Sequence, residues 1–273
     1  MKQPIRLVFS DLDGTLLNDQ KQLPEDLEEV LLLLKAQGAL FYTASGRDYL
    51  TQKHLFGPLA EQINFVCDNG AYIVEQGKPV FISIMERSHW VSVIETLHRT
   101  LPQAHCVFCG TRGSYSLPFA HLPAIAREIH KVYSGLTPLD RLEDLQDDIF
   151  KISVCLPGRA EETLLPVLQA ACAGRLSARL TDPSFVDLMN LGITKGSAVQ
   201  RIQKAAGISP AQTAVFGDYY NDVEMLQYST YSYIMQNAPC QMVQYGNYRA
   251  PDNNHAGVTA TLRQLFQPAE NPK

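Results

Sequence analysis

Apolar positions along the chain fall into two alternating patterns. Ile5-Arg6-Leu7-Val8-Phe9-Ser10 is a short run of β-formers that stops at an acidic turn, the pattern of a buried strand ending in Asp11. From Pro24 the residues Leu27, Val30, Leu31 and Leu34 recur at helical spacing until Gly38, with the proline at a first helical position. Ala39–Ala44 then predicts a second strand. Strand, helix and strand within about 40 residues make a βαβ unit, which implies a parallel sheet with a site at its carboxyl ends. A helix from about Asp48, a third strand over Asn64–Cys67 and a hairpin through Tyr72–Val74 and Val80–Ile82 continue the series.

From about Ile84 to Leu188 a separate mixed pattern begins. Trp90, Val93, Ile94, Leu97 and Leu101 mark an amphipathic helix, His105–Phe108 and Tyr115–Leu117 flank a Gly-rich turn, and Pro123–Tyr133 predicts a second helix. Phe150–Leu156 reads as a strand, Glu161–Cys172 as a third helix and Ser184–Met189 as a last strand. After Lys195 a helix to Ala206, a strand over Ala214–Phe216, a helix through Val223–Leu226, a strand over Tyr231–Ile234 and a helix near Val258–Phe266 complete an α/β layer. The partition is a discontinuous α/β core, residues 1–83 and 189–273, with an α+β domain inserted over 84–188.

Length agrees with two domains: the chain has 273 residues, and single cores stop growing at roughly 250. A formal net charge of -5 with no long run of either sign argues against a protein that wraps nucleic acid phosphates. The longest apolar run, Val30–Leu34, is far short of the roughly 20 residues of a membrane helix. Met1–Arg6 leads into the first strand without an apolar signal stretch, so a cytoplasmic location is expected. Six scattered cysteines read as reduced thiols, and the one C-x-x-C, Cys106 and Cys109, has no second pair to complete a zinc ribbon.

The chemistry gathers where strands end. In Asp11-Leu12-Asp13-Gly14-Thr15 two carboxylates leave the first strand on the same side, where they repel and raise one pKa unless a cation lies between them. A calcium loop is excluded, since its sixth and twelfth positions would be Leu16 and Gln22. Taken alone, the motif fits a site and a solvated acidic turn equally well. Thr43-Ala44-Ser45-Gly46-Arg47 places a hydroxyl and open N–H groups at a helix start suited to an anion. Thr194-Lys195-Gly196 sets a lysine at another helix start, and Gly217-Asp218-Tyr219-Tyr220-Asn221-Asp222 again puts carboxylates after a strand. The convergence of carboxylates, hydroxyl and lysine on strand ends and helix starts marks a site.

These four segments, in this order, resemble the motifs of the haloacid dehalogenase superfamily of phosphohydrolases. The resemblance covers nearly the whole chain. Asp68-Asn69-Gly70-Ala71, Asn237-Ala238-Pro239 and the long gap from Ser45 to Lys195 resemble the Cof-type branch, which has a large α/β cap. Two departures stand out: Asn253-Asn254-His255-Ala256-Gly257-Val258 lacks the acidic residues common there, and Tyr219 and Tyr220 are bulkier than usual. The resemblance implies a Rossmann-like parallel-sheet core with an inserted α+β cap, and a Mg²⁺-dependent phosphatase acting on a small phosphorylated metabolite.

It further implies that Asp11 is the nucleophile and forms an aspartyl phosphate, and that Asp13 protonates the leaving alcohol and later activates water. Mg²⁺ would be held by Asp11, Asp13 through its backbone carbonyl, Asp218 and Asp222. Ser45, Gly46, Lys195 and Asn221 would hold the phosphoryl oxygens. Arg47, Arg112 and Tyr115 are candidates for substrate selection because polar side chains in Gly-rich or site-adjacent loops can reach a sugar or phosphate. A phosphotransferase or mutase using the same intermediate, and a non-catalytic binding protein of the same fold, are the competing readings. The position of the cap argues against the first and the intact acidic motifs against the second.

Overall fold

The computed structural model describes residues 4–133 and 135–266. In chain order the elements of the first part are β1 (Leu7–Ser10), α1 (Leu27–Ala36), β2 (Leu40–Ala44), α2 (Tyr49–Phe56), β3 (Asn64–Cys67), β4 (Tyr72–Glu75) and β5 (Lys78–Ile82). The middle contributes α3 (Arg87–Thr100), β6 (His105–Gly110), β7 (Ser114–Ser116), α4 (Pro123–Val132), β8 (Thr137–Pro138), β9 (Ile149–Cys155), α5 (Leu165–Cys172), β10 (Leu176–Asp182) and β11 (Phe185–Asn190). The last part adds α6 (Lys195–Ala206), β12 (Thr213–Gly217), α7 (Val223–Gln227), β13 (Tyr231–Met235), β14 (Tyr248–Ala250) and α8 (Gly257–Phe266).

The chain divides into two compact units, Met1–Phe81 with Thr194–Lys273, and Ile82–Ile193. The first unit is built on an eight-stranded sheet in the order β14-β13-β12-β1-β2-β3-β4-β5. Pairing is parallel from β14 through β3, and β4 joins antiparallel to β3. Strand residues alternate between two covered faces, as a parallel sheet flanked by helices requires. Val8, Phe41 and Phe216 pack with Leu27, Val30 and Leu34 of α1 and Leu262 of α8. Leu7, Phe9 and Val215 pack on the other face with Ala198, Val199 and Ile202 of α6 and Met225 of α7. α1 therefore shows its Leu and Val at helical spacing because only one stripe of it is covered.

The second unit has a six-stranded sheet ordered β10-β11-β9-β6-β7-β8. Cys106, Phe108, Ile152, Val154, Val186 and Leu188 face a core closed by Trp90, Ile94 and Leu97 of α3 and by Leu168 of α5. The unit extends beyond residues 84–188 at both ends. Its root is held by Asn190, whose amide donates to Ser83 Oγ (3.0 Å) and the Ile84 carbonyl (2.8 Å). β10 has no strand signature in the sequence because it lies at the sheet edge, largely uncovered, and takes its extended form from pairing with β11. Cys106 and Cys109 stand an odd number of residues apart on β6 and so point to opposite faces. Both are buried, and burial pushes the Cys106 thiol up to about 12, so this C-x-x-C is two packed thiols.

The β6–β7 turn is organised by Asp147, whose side chain is only 2% exposed. Its carboxylate accepts from Thr111 Oγ1 (2.8 Å), the Arg112 amide (2.9 Å) and the Tyr115 hydroxyl (3.0 Å), and it pairs with Arg112 Nε at 3.4 Å. Burial works to raise its pKa, but these donors more than offset that and hold it below the usual carboxylate value. A depressed folded pKa stabilises the protein above the unfolded-state value and ceases to do so as pH falls through the folded one. Asp147→Asn is therefore expected to cost about 1–3 kcal/mol at pH 7. In thermal or urea unfolding, the gap between wild type and variant should close below about pH 4, where the unfolded carboxylate protonates.

Candidate active site

β12, β1 and β2 lie side by side in register, with Ser10 opposite both Phe216 and Thr43. The residues just after each strand, Asp218, Asp11 and Ser45, are thereby delivered to one edge of the sheet. Asp11 is further fixed by its N–H donating to the Phe216 carbonyl at 3.0 Å. Lys195 arrives from the first position of α6, a helix started by Thr194 and Ser197, each of which hydrogen-bonds the other's backbone N–H. Its Nζ lies 2.6 Å from Asp11 Oδ1 and 2.7 Å from Asp222 Oδ1, and it is 1% exposed. Asp222 in turn accepts through Oδ2 from the Asp218 and Tyr219 amides, at 3.0 and 3.1 Å.

Two close approaches need glycine. Gly14 has φ +83°, and a Cβ there would stand 2.4 Å from Asp218 Oδ2; the Thr15 hydroxyl meets the same carboxylate at 3.2 Å. A Cβ on Gly217 would stand 2.6 Å from the Asp222 Cβ. The first glycine lets the loop after β1 close on the loop after β12, and the second lets the loop after β12 fold back on the end of its own strand.

Electrostatically the site is short of positive charge. Burial pushes the Asp11 carboxyl up to about 8; Lys195 opposes the rise, and the charges of Asp222 and Asp218 add to it. Asp218 is raised to about 6, mainly by burial and then by Asp222. Burial alone would lower the Lys195 pKa, but Asp11 and Asp222 raise it, so its ammonium is held. One ammonium faces three carboxylates, Asp11, Asp218 and Asp222, whose ligand oxygens lie within 4.8 Å of one another. Among the described residues this is the one cluster of three or more His, Cys, Asp or Glu side chains able to hold a metal ion. All-oxygen donors and uncompensated charge fit a hard divalent cation such as Mg²⁺.

Asp13 differs from the expectation that it repels Asp11. Its side chain is 40% exposed and pairs with Arg47 Nε (2.8 Å), Arg47 Nη2 (2.6 Å) and Lys21 Nζ (2.7 Å). Partial burial raises its pKa, and the Arg47 and Lys21 bonds more than offset this, leaving it below the ordinary value. The raised group is Asp11, because burial and the carboxylates after β12 act on it. Ser45 is buried, and its Oγ accepts from the Arg47 amide at 3.1 Å. Asn221 Nδ2 lies 3.5 Å from Asn69 Oδ1. Arg112 and Tyr115 belong to the second unit, where Asp147 holds them.

Asn69, Thr15 and Asn237 lie in segments that the sequence singles out, but no role in the site is assigned to them there. Asn69 lies against Gly46, where a Cβ would be 3.2 Å from its amide nitrogen. The signal was present: Asp68-Asn69-Gly70 all adopt positive φ, and Asp, Asn and Gly are the residues that tolerate it. Asn237 donates to the Gly14 carbonyl at 2.8 Å, and no local pattern reveals a contact with a partner that distant in sequence.

A crowded acidic edge of a parallel α/β sheet, with a buried lysine, is an arrangement suited to phosphoryl transfer. A family model described as haloacid dehalogenase-like hydrolase matches residues 8–262, and the chain belongs to that family as a phosphatase-class hydrolase. It is 32% identical over 264 residues to a 5-amino-6-(5-phospho-D-ribitylamino)uracil phosphatase of Escherichia coli (strain K12), covering 96% of this chain and 97% of the relative. An HMP-PP phosphatase of Serratia proteamaculans is 28% identical over 243 residues, covering 87% and 86%. The crystal structure of a haloacid dehalogenase-like hydrolase from Bacteroides thetaiotaomicron superposes with a TM-score of 0.81 at 20% identity, covering 96% of this chain and all of that one, which speaks to the fold.

Lys195→Met leaves Asp11 and Asp222 buried without their cation, and is expected to cost about 3–5 kcal/mol at pH 8. Asp11 then has a folded pKa still further above its unfolded value, so its contribution is present at low pH and is lost as pH rises. The deficit measured by urea unfolding should therefore stay about level between pH 5 and pH 8 and widen above about pH 8, where Asp11 ionises in the folded wild type but not in the variant.

Proposed function

We propose that the protein is a Mg²⁺-dependent phosphatase of small phosphate monoesters, sugar phosphates or cofactor phosphates, of the Cof-type branch, working in the cytoplasm. The observation that carries this reading is the buried Lys195 bridging Asp11 and Asp222 beside Asp218. Support for the branch comes from the α+β unit Ile82–Ile193, which falls between Ser45 and Lys195. The ester named for the Escherichia coli relative is the first natural substrate to test.

In this reading Asp11 attacks phosphorus, the ester P–O bond breaks, and Asp13 gives a proton to the departing alcohol. Asp13 then takes a proton from water, which attacks phosphorus and releases inorganic phosphate, restoring the Asp11 carboxylate. Asp13 is held ionised by Arg47 and Lys21, so it takes up its proton only when those bonds open, and an arriving phosphoryl dianion competes for both cations. Lys195, Ser45, Gly46 and Asn221 hold phosphoryl oxygens, Lys195 adding the charge that offsets the developing negative charge. Mg²⁺, held by Asp11, Asp218, Asp222 and the Asp13 carbonyl, would neutralise carboxylate and phosphate so that they can approach. The second unit selects the ester, with Arg112 and Tyr115 presented by Asp147.

Phosphate release from p-nitrophenyl phosphate is expected to require Mg²⁺ and to stop in excess chelator. Asp11→Asn should give no turnover, since an amide forms no phosphoenzyme. Full activity in chelator, or near wild-type turnover by Asp11→Asn, would overturn the reading.

Arg112→Ala and Tyr115→Ala should reorder the preference among larger esters through KM while turnover of p-nitrophenyl phosphate stays within about tenfold of wild type. Lys195→Ala should depress every substrate. Steady-state kinetics of the three variants on one small and one large ester separates the two outcomes.

A further inference from the structure

The loop after β12 carries two tyrosines between its acidic residues. Tyr219 and Tyr220 are 55% and 50% exposed, and neither belongs to any of the three buried apolar clusters. Their rings meet edge to face, centroids 5.2 Å apart and planes at 73°. The backbone beneath them is fixed rather than loose: Asp222 Oδ2 accepts from the Asp218 and Tyr219 amides, and the Asp222 N–H donates to the Tyr219 carbonyl at 2.9 Å. Asp218, the residue immediately before the pair, contributes to the three-carboxylate cluster, and Asp222 closes the loop behind it. Two large rings left in water do nothing for the core, whereas rigid tyrosines offer wide contact area with few torsions to immobilise.

We propose that Tyr219 and Tyr220 are substrate-contacting residues that form an aromatic wall for the alcohol part of the ester and favour esters with a flat unsaturated ring close to the phosphate. The inference rests on the phosphatase reading and deepens it by naming a substrate class and a contact on the first unit. A flat ring can join the existing edge-to-face pair, presenting either its face or its hydrogen-bearing edge to a tyrosine. A puckered saturated ring of the same size has no π-face and gains only its buried area. The hydroxyls are not required for this, so phenylalanine should serve as well as tyrosine.

Benzyl phosphate and cyclohexylmethyl phosphate test this, since they share the phosphate, have similarly basic alcohols and differ in the ring. The wild-type protein is expected to favour benzyl phosphate by about three- to tenfold in kcat/KM, mostly through KM, as expected for one aromatic contact. The double variant Tyr219→Leu, Tyr220→Leu should bring the ratio near one, with the loss falling on benzyl phosphate. Inhibition by inorganic phosphate, which lacks the alcohol part, should stay as in wild type. Tyr219→Phe with Tyr220→Phe should keep the preference. Persistence of the preference in the leucine variant, equal loss of both esters, or no preference in an active wild-type protein overturns this inference alone. A wild-type protein that releases phosphate from neither ester nor from p-nitrophenyl phosphate overturns the phosphatase reading and this inference together.

Discussion

A single buried ammonium among three carboxylates is the constraint around which the first unit is arranged. Lys195 is on α6, Asp11 follows β1, and Asp222 closes the loop after β12, so three segments far apart in the chain are joined at one nitrogen. Removing such charges from water is costly unless each finds a partner. The sheet register supplies the partners: β12 and β1 run parallel and adjacent, which brings their following residues level. Even so the balance is incomplete. The raised carboxyls of Asp11 and Asp218 express the charge that a divalent cation would neutralise.

Small side chains and amides hold the loops that carry these groups. Gly14 lets the loop after β1 pass against Asp218, and Asn237 ties the carbonyl of that glycine from beyond β13. Further along, Asn253 donates to the Leu17 carbonyl and to Asp19, and Asn254 donates to Asp19 as well, each at 3.0 Å. Asp19 thus braces the Asn253–Asn254 pair from the loop after β1, while Asp252 bonds His255 locally. A site built on loops needs this kind of bracing, because backbone positions off the sheet are not fixed by the ladder.

The second unit solves a different problem. Its sheet buries one face against α3 and α5, and its β6–β7 turn is held by a carboxylate rather than by apolar packing. Asp147 accepts from Thr111, Arg112 and Tyr115 around that turn, so Arg112 and Tyr115 are presented in defined places. Asn190 does the corresponding job at the root, joining the two chain segments that enter and leave the unit.

From the sequence, the strand–helix alternation, the inserted α+β unit and the residues of the acidic motifs were all legible, because each is written in short stretches. A buried strand followed by Asp11, a helix opened by Thr194 and Lys195, and a strand followed by Asp218 are local patterns whose physics does not depend on distant residues. The edge strand β10 and the exact limits of the second unit were not legible, since an uncovered strand takes its form from its neighbour. Which carboxylate carries the raised pKa was decided only in three dimensions. Asp11 and Asp13 are alike in sequence, but folding buries the first among Asp218, Asp222 and Lys195 and leaves the second outside with Arg47 and Lys21. Asn69, Thr15 and Asn237 entered the site for the same reason: hydrogen bonds and dielectric depend on distance in space, and the chain reveals only distance along itself.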